Sequence, residues 1–528
     1  MKLKFSLLLF LISFSLVAQQ AEYQKPRLVI GITVEGLTAD YLSMFWNGMD
    51  KQGFKKVIEN GAVCSSLQFS YDATDNISDI ASFSTGAQPY VHGITWSDVY
   101  NRAIRKNSFA LFDETEKSIN GTQQLSARNL LATTIADELK VYSVQRSKVV
   151  SIAMNAKQSI LQTGHIADAV LWIDDVTGKW ASSSYYNAKL PVWVERKNEQ
   201  NTLSNYMQMT WEPLYPINYY YVTQSKGYTN NSFFYPLKKL ATGKTAIPEF
   251  KKTPFANTLI REMAVEAIEQ EALGRDVFTD MLLLYFNVQS YPKDNDLTVE
   301  LEDAYLRLDN DIKMIVEAAE RRLGKENVLI YITSPRKTQY SVSPLLKQKM
   351  QLGTFNSYRY TALLNVYLMA IYGQENWVMA FQNGNIFLNR KAIEEKNISL
   401  KEIQERAMEF VSQLPGVMNV VSSVSLEQQF ALRNTLKQSY NKQTSGDILF
   451  SLYPGWYEVD KNDKPTGFYN VLGNSVPFYF YGWKVLPQTL SAPFSVTDAT
   501  TTIAKWLHIP MPNANAGVYL PIQLKKDE

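Results

Sequence analysis

Histidine and cysteine are almost missing from this chain, with three of the first and one of the second in 528 residues. The single cysteine, Cys64, excludes an intramolecular disulfide, and one lone Cys is more often a small hydrophobe than a reactive thiol. His92, His165 and His508 are too few for a histidine-rich metal centre. An excess of one charge is lacking too: the formal net charge is +2. It gives no reason to expect nucleic acid or an anionic membrane surface as a partner. Beyond the N-terminus no apolar run reaches transmembrane length, and there is no repeat, low-complexity tract or coiled-coil heptad pattern.

What is present describes a folded globule. Hydrophobic residues make up 45% and aromatics 12%, enough for one large α/β domain with insertions or for two to three domains. Lys2 and Lys4 precede an apolar run from Phe5 to Val17, which ends near Ala18-Gln19-Gln20. A basic start, a short apolar stretch and a small residue at the cut predict a cleaved signal peptide over residues 1–20. The mature chain is then expected to be periplasmic or secreted, with no transmembrane segment left. No Cys lies near the cut, which excludes lipid attachment there.

The run Leu28-Val29-Ile30-Gly31-Ile32-Thr33-Val34 is rich in β-branched residues, breaks at Glu35-Gly36 and leads into a helical pattern. It predicts a buried strand feeding a helix, with Glu35 at the carboxyl end of the strand, where α/β sheets place their ligand groups. Further strands are expected over residues 148–153, 280–286, 328–333 and 476–483, and helices over 257–270 and 300–323, the last closed by Gly324. Residues 190–255, rich in Tyr, Asn and Pro, read as an insertion that covers the surface. Residues 340–450 read as a second, α+β insertion, with strands such as 363–371 around a helix over 400–414.

Thr85-Gly86 is followed after five residues by His92-Gly93-Ile94. With the 28–42 segment, this resembles the alkaline-phosphatase superfamily. The nearest branches are the type I phosphodiesterases/nucleotide pyrophosphatases and the periplasmic alkaline phosphatases with a threonine nucleophile. The resemblance implies an α/β fold, an alkaline-phosphatase-like core of a mostly parallel sheet flanked by helices, with two inserted subdomains. It divides the chain into core over 21–190, 256–340 and 451–528, and insertions over 191–255 and 341–450. It also implies two zinc ions, held by Asp and His, that activate the nucleophile and stabilise the leaving oxygen.

At the positions to which the resemblance assigns that chemistry, other residues stand. Asn76 takes the nucleophile position, and a carboxamide has no hydroxyl to deprotonate. The metal-ligand positions fall on Glu35, Ser290, Asp294, Pro335, Arg336 and Ser475. The phosphate-contact positions fall on Ser97, Asn155 and Lys157, where one Lys keeps a charge but lacks a guanidinium's forked contact. The three histidines lie in scaffold segments and are expected to be structural. Read on these residues alone, the chain is expected to be an exported pseudoenzyme without zinc, binding an envelope protein or a small ligand. One alternative is a phosphoric ester hydrolase with a rewired site, in which Glu35, Asp72, Asp75, Asp79, Asp294 and Asp296 hold Mg²⁺ or Ca²⁺. A purely structural envelope subunit is the other.

Overall fold

The computed structural model describes residues 24–526 except 73–74, 227–231, 241–242, 289–296, 337–352, 429–434, 454 and 469–473. Its centre is an eleven-stranded sheet. Strands β1 (Leu28–Glu35), β2 (Ala62–Gln68), β3 (Val149–Ala153), β4 (Ala169–Ile173), β5 (Trp180–Ser183), β6 (Asp280–Asn287), β7 (Val328–Thr333) and β8 (Ser475–Gly482) form most of it. Their spatial order is β2-β8-β7-β1-β6-β3-β4-β5. The middle five, β7 to β4, are parallel; β8 runs antiparallel to β7 and β2, and β5 antiparallel to β4. The sheet is mixed, with a parallel heart buried on both faces, which is why its strands read as near-continuous apolar runs.

Alternation along β1 separates two cores. Leu28, Ile30, Ile32 and Val34 join one, and Val29 joins the other with Met281, Leu283 and Leu329. Gly31 lies on the second face because nothing larger fits: a Cβ there would sit 2.1 Å from the Tyr331 hydroxyl and 2.8 Å from Leu283. Seven of the helices, in chain order, are α1 (Asn76–Thr85), α2 (Ala156–Thr163), α3 (Pro254–Gln270), α4 (Val299–Leu323), α5 (Ser357–Tyr372), α6 (Leu400–Ser412) and α7 (Val496–Leu507). Helices α3 and α4 bury their apolar stripes in the first core and α7 in the second.

Two expectations are corrected. Residues 190–255 do not merely cover the surface: Trp193, Trp211, Tyr220, Phe233 and Phe250 are buried in the first core. Their polar handles are satisfied by acids on α4. Trp211 Nε1 and the Tyr220 hydroxyl donate to Asp303 at 2.7 and 2.6 Å, and the Tyr221 and Val222 N–H groups donate to Glu302 at 2.8 and 2.9 Å. Residues 363–371, expected as a strand, lie inside helix α5. Asn356 caps that helix by accepting from the Arg359 N–H, and Leu364 and Leu368, one turn apart, point into the core. Leu, Met and Ala dominate the stretch, and all three favour helix. Helices α5 and α6 pack with a four-stranded antiparallel sheet (Val378–Gln382, Asn385–Leu388, Ile448–Leu452, Val417–Ser422) around a core of its own.

Candidate functional site

The carboxyl ends of the neighbouring strands β7, β1, β6 and β3 carry the segments that the sequence singles out. Helix α1 lies over them. Its N-cap is Asp75, which accepts from the Ile77 N–H at 3.2 Å and the Ser97 N–H at 2.7 Å. Asp75 thus ties the helix start to the 97 loop. Burial raises the pKa of Asp75, and the Lys157 charge opposes that rise.

Asn76, the first residue of α1, is almost fully buried, and its Nδ2 donates to Glu35 Oε1 at 2.8 Å. The Tyr285 hydroxyl, from β6, donates to Glu35 Oε2 at 3.0 Å. Burial first, and then the Glu35 carboxylate, hold that phenol well above its usual pKa, so it remains a donor. One turn along α1, Asp79 meets Arg336, which follows β7. Arg336 Nη2 lies 2.7 Å from Asp79 Oδ1, and both side chains are 1% exposed. Burial disfavours the charged guanidinium, but Asp79 outweighs it and keeps the Arg336 pKa above its ordinary value.

On the other flank Lys157, in the first turn of α2, reaches Ser97 Oγ at 3.5 Å. Asn155, at the N-cap of that helix, makes no side-chain cap bond. Its Oδ1 instead accepts from Lys251 Nζ at 3.1 Å, and Lys251 also pairs with Asp175 at 2.6 Å. Pro335 lies beside the pair, with its carbonyl bonded by Ser334 Oγ at 2.7 Å. Ser475 opens β8, is exposed and bonds Ser66 Oγ at 2.9 Å, while its neighbour Asn474 accepts from Arg336 Nη1 at 3.4 Å. Ser290 and Asp294 lie outside the described residues. The structure therefore brings Glu35 and Asn76 together, and Ser97 and Lys157 together, with Asp75 between the two pairs.

Among the described residues no group of three or more His, Cys, Asp or Glu side chains converges on one point. Asp75 is engaged by backbone N–H groups, Asp79 by a guanidinium and Glu35 by an amide and a phenol. The Asp72 N–H donates to the Thr435 carbonyl at 3.4 Å and to Ser439 Oγ at 2.9 Å, which ties this residue to the inserted subdomain. The histidines serve the scaffold. The Ile94 N–H donates to His92 Nδ1 at 3.2 Å, leaving Nε2 to face Ser82 Oγ at 2.9 Å. His165 bridges Asp137 and the Leu130 carbonyl at 2.8 and 2.9 Å, and His508 ends α7 in the left-handed region.

Two contacts were not legible in the sequence as site features. Tyr285 sits in the otherwise apolar stretch Met281–Phe286, and a single polar aromatic at the carboxyl half of a buried strand is the signal that was there. Asp79 lies three residues after Asn76, on the same face of α1; that spacing pointed to the cleft but not to Arg336.

Residues 29–475 match the type I phosphodiesterase / nucleotide pyrophosphatase family, so the chain belongs to it. Alkaline phosphatase PafA of Elizabethkingia meningoseptica is 28% identical over 511 residues, 93% of each chain. A protein of Myroides odoratus named calcium-transporting ATPase is 30% identical over 534 residues, 97% of this chain and 96% of that one. The crystal structure of wild-type alkaline phosphatase PafA superposes with a TM-score of 0.82 at 26% identity, over 94% of this chain and 98% of that one. These likenesses place the fold in the alkaline-phosphatase superfamily. They overturn the expectation of a pseudoenzyme that acts only by binding: the family and a near full-length relative are hydrolases of phosphoric esters by name. Replaced residues at single positions do not establish that turnover is lost, because function belongs to the site as a whole.

Proposed function

We propose that this protein is a phosphoric ester hydrolase, exported by the N-terminal signal, that works at the carboxyl edge of the sheet, where α1 and α2 begin. The observation that carries the reading is the convergence of the Glu35–Asn76 pair and the Ser97–Lys157 pair on Asp75, at the carboxyl edge of a phosphatase-family sheet. Lys157 supplies a cation at the first turn of α2, where the helix dipole and N–H groups without a side-chain cap add to its pull on an anion. Asn76 Nδ2 and Ser97 Oγ add neutral donors for the remaining phosphoryl oxygens. Glu35, held from both sides by Asn76 and Tyr285, is the carboxylate placed to orient a water and take its proton. The water oxygen bonds to phosphorus as Glu35 takes its proton, the ester P–O bond breaks to release the alkoxide, and the proton passes from Glu35 through solvent to that oxygen, so that the alcohol leaves and the carboxylate is restored. No step passes through zinc, for which the described donors do not fit.

The test is hydrolysis of a phosphomonoester and a phosphodiester by the wild type, Lys157→Ala and Glu35→Gln. Lys157→Ala should weaken substrate binding, and Glu35→Gln should lower turnover with KM little changed. Turnover indifferent to both substitutions would overturn the assignment of this cleft.

A further inference from the structure

The zinc-binding pole of this cleft is filled by the protein itself. Arg336 stands where the resemblance expects a metal-binding His, and its side chain is satisfied on every edge. Nε lies 3.2 and 3.1 Å from the two Asp79 oxygens, Nη2 lies 2.7 Å from Oδ1, and Nη1 donates to the Tyr71 carbonyl at 2.9 Å. The Arg336 backbone N–H adds a bond to Asp79 Oδ2 at 2.8 Å. Two aromatic faces flank the guanidinium, Phe69 with its centroid at 4.9 Å and Tyr71 at 4.5 Å. The Tyr71 hydroxyl then closes on Asp79 Oδ1 at 2.8 Å.

We propose that the Arg336 guanidinium, clamped on Asp79, is a built-in cation that closes this pole, so that the folded protein holds no zinc in the cleft. A zinc ligand must present a free lone pair at about 2.0–2.2 Å, and both Asp79 oxygens are taken. A divalent ion could gain the Asp79 oxygens only by breaking this buried pair and stranding the guanidinium. Pro335 offers no side-chain donor and a guanidinium has no lone pair to give, so neither position after β7 can ligate zinc. The inference rests on the family positions of these segments and not on the hydrolase reading.

The test is the zinc content of the purified protein after incubation with excess zinc and exhaustive dialysis, read by elemental analysis, beside thermal unfolding with zinc or EDTA. The expected result is less than about a tenth of an equivalent per chain and a midpoint that neither addition moves. Zinc retained equally by the wild type and Glu35→Gln lies elsewhere on the surface and leaves the pole closed. One or more equivalents held by the wild type and lost in Glu35→Gln, with a midpoint lowered by EDTA, would overturn the inference. Both readouts are independent of turnover, so this result stands apart from success or failure of the hydrolase assay.

Discussion

Asp79→Asn is the substitution whose cost follows most directly from the structure. It keeps the size of the side chain but removes the negative charge from a guanidinium that is 1% exposed. Arg336 then remains buried with a carbonyl, an amide and two rings as contacts, and the charge of Asp72 acts on it without replacing the direct pair. Breaking one side of such a pair costs ~3–5 kcal/mol, since the remaining ion cannot regain its hydration. An unfolding entropy of ~2.1 cal/mol/K per residue over 528 residues gives about 1.1 kcal/mol/K. The midpoint should therefore fall by about 3–5 °C, measured by scanning calorimetry or circular dichroism. Replacing both partners, as Asp79→Leu with Arg336→Met, removes the stranded charge and should recover most of the loss. A single Asp79→Asn variant as stable as the wild type would refute the claim that this pair is locked and dry.

Three other outcomes follow from named contacts. Lys157→Ala should lower kcat/KM for a phosphoric ester by roughly 10–100-fold, the value of one charge-assisted contact of ~1.5–3 kcal/mol, and Lys157→Arg should restore part of it in steady-state assays. Burial holds the His92 pKa down to about 3 from 6.5. The unfolded chain therefore takes up this proton first, and the stability contributed by neutral His92 is present above pH ~6.5 and lost as the pH falls toward about 3. Near pH 5 the loss is ~2 kcal/mol, and His92→Gln should flatten the acid limb of a urea-denaturation series. Asp447, buried, accepts from Arg102 and Arg390 at 3.0 and 2.7 Å and from the Leu388 N–H at 2.7 Å. Asp447→Asn should loosen the hold of the 98–109 hairpin on the inserted subdomain by ~1–3 kcal/mol, seen as earlier proteolytic cleavage there.

The parts of the fold that were legible are those in which one local signal dominates. The run from Leu28 to Glu35 is a buried parallel strand because it is apolar without interruption, and Glu35 falls at its carboxyl end for the same reason. Helix α4 shows its stripe through Tyr305, Leu308, Ile312, Ile315 and Val316, all buried. Residues 190–255 misled because their periodicity is weak while their tertiary partners are strong. Trp211 and Tyr220 are core residues only because Asp303, more than eighty positions away, satisfies their polar atoms. Residues 363–371 misled because Val, Tyr and Ile favour strand while Leu, Met and Ala favour helix, and the deciding cap at Asn356 lies seven residues upstream. In the site, the sequence put Glu35 at the carboxyl end of its strand, where it meets Asn76. It did not show that Arg336 would turn to Asp79, because that contact spans 257 positions and depends on how β7 meets α1. The functional reading built on single positions alone was the part that relatives of similar length corrected.

The most direct measurement is release of 4-nitrophenolate from 4-nitrophenyl phosphate and from its bis-ester, by wild type and Lys157→Ala purified side by side. Turnover by the wild type on at least one ester, falling in Lys157→Ala, is the expected result. Wild-type release no greater than that of Lys157→Ala on both esters would contradict the assignment of this cleft to phosphoric ester hydrolysis.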